Sequence, residues 1–272
     1  MQPRPQLSEG RGTILQYHAD RGPVAYVLLV FGLRLALWSL AGPLVCALSI
    51  LPLAALGMFV APINHHHQHV NTFRARWANR VYELALSLQA GIAPYGWVLH
   101  HNLGHHAHYL SQPPHENPDE SRWTRPDGTQ MGRLEYSIDL LLHHQLDIIR
   151  VGLQRPRVFR SFLWMQLPLL GLIAIGLWFR PLETTLVFLL PGFLTLFHTI
   201  WATYEHHAGC PNTGHFDASR NREHWFYNAL TGNLGFHTAH HLRPGLHWSR
   251  LPALHAEIRD QIPEAQLLKS FW

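Results

Sequence analysis

Lysine is almost missing from this 272-residue chain: Lys269 is the only one. Charged side chains make up 14 % of the residues, well below the quarter usual in soluble domains. The net charge is +4, but the arginines are dispersed. No basic stripe exists to grip nucleic acid, and a bias toward a membrane surface fits better. There are two cysteines. Cys46 lies in an apolar run and Cys210 in a polar stretch, so neither a disulfide framework nor a zinc spacing is present. No CxxC pair and no HPGG occurs, which leaves no in-chain iron–sulfur centre or haem module of those kinds. HExxH is absent, excluding a zincin. ExxH is absent too, excluding the carboxylate-bridged di-iron site of ferritin-like bundles.

What is abundant is hydrocarbon and imidazole. Apolar runs cover residues 24–41, 44–62, 162–179 and 182–203. As helices rising about 1.5 Å per residue, each is roughly 27–33 Å long, the thickness of a hydrocarbon core. The mean hydropathy of −0.05 conceals this because histidine, with 23 copies, is scored as strongly polar. Pro52, Pro168 and Pro191 are tolerable inside membrane helices. Arg34 sits mid-span and is expected to face the bundle interior or to snorkel.

The runs pair across very short turns, at 42–43 and 180–181, so the expected fold is an all-α integral membrane protein of four transmembrane helices in two hairpins. A polar arm of about residues 1–23, the stretch 63–161 and the tail 204–272 would then share one side as a cytosolic helical cap on one integrated domain, 1–272. Nearly all arginines fall there, making that side, with both termini, cytoplasmic by the positive-inside rule. A moderately apolar stretch at 81–99 contains Glu83, Gln89, Gly91 and Pro94 and reads as a re-entrant or interfacial segment. Residues 133–153 read as an interfacial amphipathic helix.

The histidines follow this topology. "NHHHQH" (64–69) ends the second run and "HHNLGHHAH" (100–108) follows the re-entrant stretch. "YEHH" (204–207) caps the fourth run, and "HTAHH" (237–241) lies in the tail. All fall on one face only if 81–99 does not cross the bilayer. His65 and His69, His101 and His105, and His237 and His241 are each four apart, so on an α-helix each pair shares a face and can chelate one ion. Adjacent residues such as His105 and His106, or His240 and His241, diverge by about 100° and offer a ligand to a neighbouring ion. So many imidazoles exceed what one four-coordinate zinc needs, and two ions are the natural reading. Imidazole suits Zn, Cu, Fe and Ni alike. His18, His115, His215, His255 and the His143–His144 pair are isolated and read as ordinary surface residues.

Three such boxes in order, between paired hairpins, resemble the membrane fatty acid desaturase and hydroxylase superfamily over roughly residues 24–260. "HNLGHH" (101–106) and "TYEHH" (203–207) are also similar to boxes of membrane alkane hydroxylases, and "GNLGFHTAHHLRPGLHWSRLPALH" (232–255) to the tail of bacterial desaturases. The resemblance implies an O2-dependent oxidoreductase with two irons at the cytoplasmic surface of an inner or plasma membrane. It introduces a double bond into a fatty acyl chain held in an apolar tunnel, for which Trp97 is a candidate wall. The implied ligands are His65 and His69; His101, His105 and His106; His237, His240 and His241; and one of His206 or His207. Extra histidines at 66 and 67 leave the register of the first box open. Asp119, Glu120, Glu205 and Glu223 are candidates to hold the outer imidazole nitrogens. With no electron centre of its own recognised, the chain would draw electrons from a ferredoxin-, rubredoxin- or cytochrome-like carrier. The alternative on the same centre is a hydroxylase of a lipid, alkane or other apolar substrate. A zinc-dependent membrane hydrolase would carry more spans than four, and a metal transporter would place ligands inside the spans, where only His198 lies.

Overall fold

A computed structural model describes residues 14–115 and 119–271; residues 1–13 of the expected N-terminal arm and 116–118 of the polar loop lie outside the described residues. The described chain is mostly helical. Three stretches are long and apolar enough to cross a membrane: His18–Leu40, Pro156–Phe179 and Pro181–His207. The first is carried by α1 (Arg21–Leu40). The run at 44–62 is divided at Ser49 between α2 (Pro43–Leu48) and α3 (Ile50–His69), and α3 continues beyond the apolar residues to carry the first histidine cluster. After α4 (Arg76–Ala90) comes a π-helical segment, Val98–His105, prolonged by the single turn α5 (His106–His108). No unbroken helix covers 81–99.

The second half opens with α6 (Arg133–Gln154) and α7 (Pro156–Phe179). A short α8 (Pro181–Thr184) leads through a π-helical stretch, Thr185–Leu189, into α9 (Leu190–His207). The tail folds as α10 (Trp225–Thr231), α11 (His237–Leu242) and α12 (Leu251–Ile258). A two-residue parallel pairing of β1 (Asn221–Arg222) with β2 (Leu267–Leu268) ties the tail together.

The apolar helices expose their hydrocarbon. Leu29 is 74 % exposed, Trp164 71 % and Trp178 83 %, a surface that water would not tolerate over such an area but lipid does. Helix α6 is amphipathic as expected. It buries Tyr136, Leu140, Ile148 and Val151 while Leu134, Ile138, Leu142, Leu146 and Leu153 face outward.

Close approaches hold the helices that carry the histidines. At Gly57 in α3 an added Cβ would lie 2.2 Å from Thr195 Oγ1 of α9, so only glycine permits that crossing. Gly91 ends α4 at φ +70° with its Cα against Gly192; a Cβ there would meet the Gly192 carbonyl at 2.3 Å. Both the left-handed backbone and the contact require glycine.

Arg34 faces the interior and is fully buried. It donates to the backbone carbonyls of Val187 at 2.6 Å, Leu53 at 2.9 Å and Gln89 at 3.4 Å. Val187 lies in the π-helical stretch that leads to Pro191, a residue with no N–H to offer the preceding turn. A carbonyl left without a donor in hydrocarbon costs several kcal/mol, and the guanidinium of α1 gives this one a donor.

Candidate metal centre

Nine imidazoles converge at one end of the helices, drawn from four chain segments. Their nitrogens form two groups, within each of which the candidate ligand atoms lie within 4.8 Å of one another. The first holds His65, His69, His101, His106 and His240; the second holds His105, His207, His237 and His241. In the first, His65 Nε2 is 2.9 Å from His101 Nε2, and His106 Nε2 is 3.1 Å from His101 and 3.0 Å from His240. In the second, His207 Nε2 is 3.2 Å from His105 and 3.0 Å from His237, whose Nε2 is 3.1 Å from His241. The groups abut, with the His106 and His241 rings stacked 4.2 Å apart.

Helix geometry explains most of this partition. His65 and His69 share a face of α3, and His237 and His241 share a face of α11. The neighbour His240 points away from His237 and His241 and into the first group. The second box departs from the expected pairing. His101 pairs with His106, not with His105, and His105 goes to the other group. The wider winding of Val98–His105 contributes: with i→i+5 bonding, His106 is brought nearer the face of His101 than an α-helix would allow. Gly104 in this segment gives the Glu120 side chain room, since a Cβ would lie 2.7 Å from its Cδ.

In the first box, His65 and His69 lie in the first group, and contacts set His66 and His67 apart. His66 Nε2 meets the Thr231 carbonyl at 3.1 Å, and His67 binds Thr72 and lies 3.5 Å from Glu83; neither joins a group. Between His206 and His207, the second group contains His207. His206 instead packs its ring 4.1 Å from that of His237, with Nε2 3.5 Å from the Tyr227 hydroxyl.

Two rings have their outer nitrogens held. His105 Nδ1 donates to Asp119 at 2.9 Å, and His207 Nδ1 donates to the Ala218 carbonyl at 2.8 Å. Each bond places the proton on Nδ1 and leaves the Nε2 lone pair facing the group, the tautomer a metal requires. Asp119 is fully buried and also accepts from Ser121 N and Gln112. The other three candidate carboxylates serve elsewhere. Glu120 binds His108 and Arg150. Glu205 binds Arg133 and Arg222, and Glu223 binds His255 and Arg259. His255 is therefore not a surface residue; it is 4 % exposed and packs on Phe236.

Two aromatic walls carried no sequence signal. Trp123 stacks on His207 at 5.5 Å, and Tyr109 lies over His241 at 4.2 Å while bonding the exposed His215 at 2.5 Å. Trp97 sits 4.7 Å from His101 and lines a narrow cavity of about 60 Å³ that reaches that ring.

Burial holds His101, His106, His237, His240 and His241 well below the ordinary imidazole range, and the neighbouring rings push in the same direction. Burial thus favours the neutral, donor form at those five rings, and among the described residues Asp119 is the carboxylate that bonds a grouped imidazole. That donor chemistry fits borderline first-row cations such as Zn, Cu, Fe or Ni. The sign of the pH dependence follows. Unfolded imidazoles take protons as pH falls below about 6.5, while the buried rings resist protonation until lower pH. The folded state thus binds fewer protons in that window, and metal-free protein is expected to lose stability as pH drops from neutrality, with no contribution from these groups above it. Bound metal is lost over the same range, because each ligating ring must stay neutral. Thermal melting of chelator-stripped protein, and metal retention, between pH 8 and 5 would measure both. Asp119→Ala is expected to weaken metal binding to the second group by about 10–100-fold, read by competition with a chelator.

The model of the family described as "Fatty acid desaturase" matches residues 25–271. No curated protein and no solved structure matches at a significant level.

Proposed function

This chain belongs to the fatty acid desaturase family, and from that premise we propose that it is an O2-dependent di-iron oxidoreductase introducing a double bond into a fatty acyl chain. The observation that carries the reading is the division of nine imidazoles into two abutting groups. His65, His69, His101, His106 and His240 would hold one iron, and His105, His207, His237 and His241 the other. Bound there, the irons supply the O2 activation and the hydrogen abstraction from an unactivated methylene.

The chain's own residues do the rest. Asp119 and the Ala218 carbonyl keep His105 and His207 in the ligating tautomer. Trp123 stacked on His207 and Tyr109 packed at a tilt against His241 hold those rings in place, so that the site is organised before substrate arrives. The apolar cavity against Trp97 and His101 would lay a hydrocarbon chain beside the first group and exclude water. In this reading residues 1–272 form one domain, with four spans in two hairpins and the histidines on the cytoplasmic side. Electrons come from a separate ferredoxin-, rubredoxin- or cytochrome-like carrier, for which the arginine-rich face is a complementary surface.

Lipid analysis of cells expressing the chain under 18O2 tests the reaction. Products lighter by two hydrogens and free of label are expected. Products carrying 18O would establish hydroxylation instead. Metal analysis of the purified protein should return iron; zinc, with activity surviving without oxygen, would overturn the proposal.

A further inference from the structure

The narrow cavity that reaches His101 has a direction. Along α9 it is lined by Leu196, Thr199, Ile200 and Thr203, one stripe at three- and four-residue spacing. At about 1.5 Å per residue this stripe is roughly 10 Å long, and its far end points to His207. At the inner end His101 belongs to the first imidazole group. Ser121 and Thr203 are shared with a smaller cavity bordered by His105, His207 and His237 of the second. The slot therefore ends between the two groups.

Its outer end lies among hydrocarbon. The exposed lining residues there are Gly91 and Gln145. Gly91 touches Gly192, near the start of α9 and fifteen residues before His207, within a stretch apolar enough to cross a membrane. Gln145 sits on α6 between the outward-facing Leu142, Leu146 and Ile149. Helix α6 thus has two apolar faces: Leu140 and Ile148 line the slot, and the leucine stripe behind them faces outward. Among the described residues, no arginine, lysine or carboxylate lines the slot. Nothing in it would hold the phosphates of a nucleotide carrier or the acidic surface of a carrier protein.

Resting on the family reading above, we propose that the substrate is the hydrocarbon chain of a lipid already dissolved in the bilayer. It slides sideways beneath α6 into the slot along α9 rather than arriving from water on a soluble carrier. A chain following that route meets chiefly apolar side chains, Ile92, Ala93, Leu140, Ile148 and Leu196, with Gln145, His144 and His100 as polar groups in the wall, so most of its path keeps hydrocarbon against hydrocarbon.

Photolabelling in lipid nanodiscs tests this without needing turnover. The probe is a phosphatidylcholine with a diazirine in mid-chain, and the comparison is the same diazirine chain as its coenzyme A thioester. The phospholipid probe is expected to label peptides covering 91–97 and 196–203. Ala93→Phe and Thr199→Trp, which fill the slot from opposite walls, should each reduce that labelling at least tenfold while leaving labelling of α1 and α7 unchanged. The proposal is overturned if the thioester labels the slot as strongly as the phospholipid. It is equally overturned if the phospholipid labels only the outer faces of α1 and α7. A third overturning result is label confined to the larger cavity of about 480 Å³ between Tyr26, Phe59 and Trp248, which borders none of the nine grouped imidazoles. Because labelling requires no metal, a protein that purifies without iron would sink the proposed reaction and leave this result standing.

Discussion

His207→Ala is expected to release the ion proposed for the second group and to reduce product formation at least about 1,000-fold, some 4 kcal/mol of barrier, whereas His206→Ala keeps its full metal content. The two residues are adjacent on α9 and differ in where the helix turns them. His207 is buried, its Nδ1 donates to Ala218, and its Nε2 lies 3.0–3.2 Å from His237 and His105. Its removal leaves the second group with three imidazoles and an open wall beneath Trp123. His206 touches the group only through its ring, packed on His237, so its loss changes packing but no donor. Metal quantification of both variants separates the outcomes. If His206→Ala loses an ion and His207→Ala does not, the assignment of the second group is wrong. The first group offers a milder comparison: it has five candidate rings, so Ala at His69 should weaken its ion less than Ala at His207 weakens the other.

The second large effect is structural and lies far from the histidines. Arg34→Met keeps an unbranched apolar stem, shorter by two bonds, and removes the donors. Three carbonyls on three different elements then lose a hydrogen bond at once: Val187, Leu53 and Gln89. At about 1–3 kcal/mol for each bond from the charged group, the gross loss is roughly 3–9 kcal/mol, offset in part by relief from holding a charge inside the bundle. A fall in thermal stability in detergent, with poorer recovery of folded protein, is the measurable result. Arg34→Lys should recover part of it, since one ammonium can reach one or two of the carbonyls but cannot fork across all three. Unchanged melting of Arg34→Met would show that the carbonyls find other donors.

Several features of this molecule were open to reading from residue order. Three of the four apolar runs announced long membrane-length helices because lipid-facing surface must be apolar over a fixed length, whereas the run at 44–62 is divided at Ser49 and is not among the span-length helices of the described residues. The boxes at 65–69 and 237–241 announced their face-sharing pairs because both lie on α-helices with the ordinary winding. The same rule misassigned the middle box. It paired His101 with His105, whereas the segment winds as a π-helix and pairs His101 with His106. Local residue preferences gave no signal of that change; it is held in place by neighbours distant in sequence, such as Glu120 beside Gly104 and His65 against His101. Asp119, fourteen residues from the ring it holds, was one of four equally plausible carboxylates until the fold brought it alone to a grouped imidazole.

From its order of residues alone, this chain determined which donors it has to offer: only imidazoles, in clusters at the ends of apolar helices, too many for one ion. Periodicity within a single helix is a local property, and it can be read one segment at a time. The tertiary structure alone decided how the nine rings divide into five and four, that His207 and not His206 joins them, and where the slot opens. Those outcomes depend on which faces of α3, α9, α11 and the π-helical segment meet. That meeting is set by contacts such as Gly57 with Thr195 and Gly91 with Gly192, between residues more than a hundred positions apart, and no window along the sequence contains both partners.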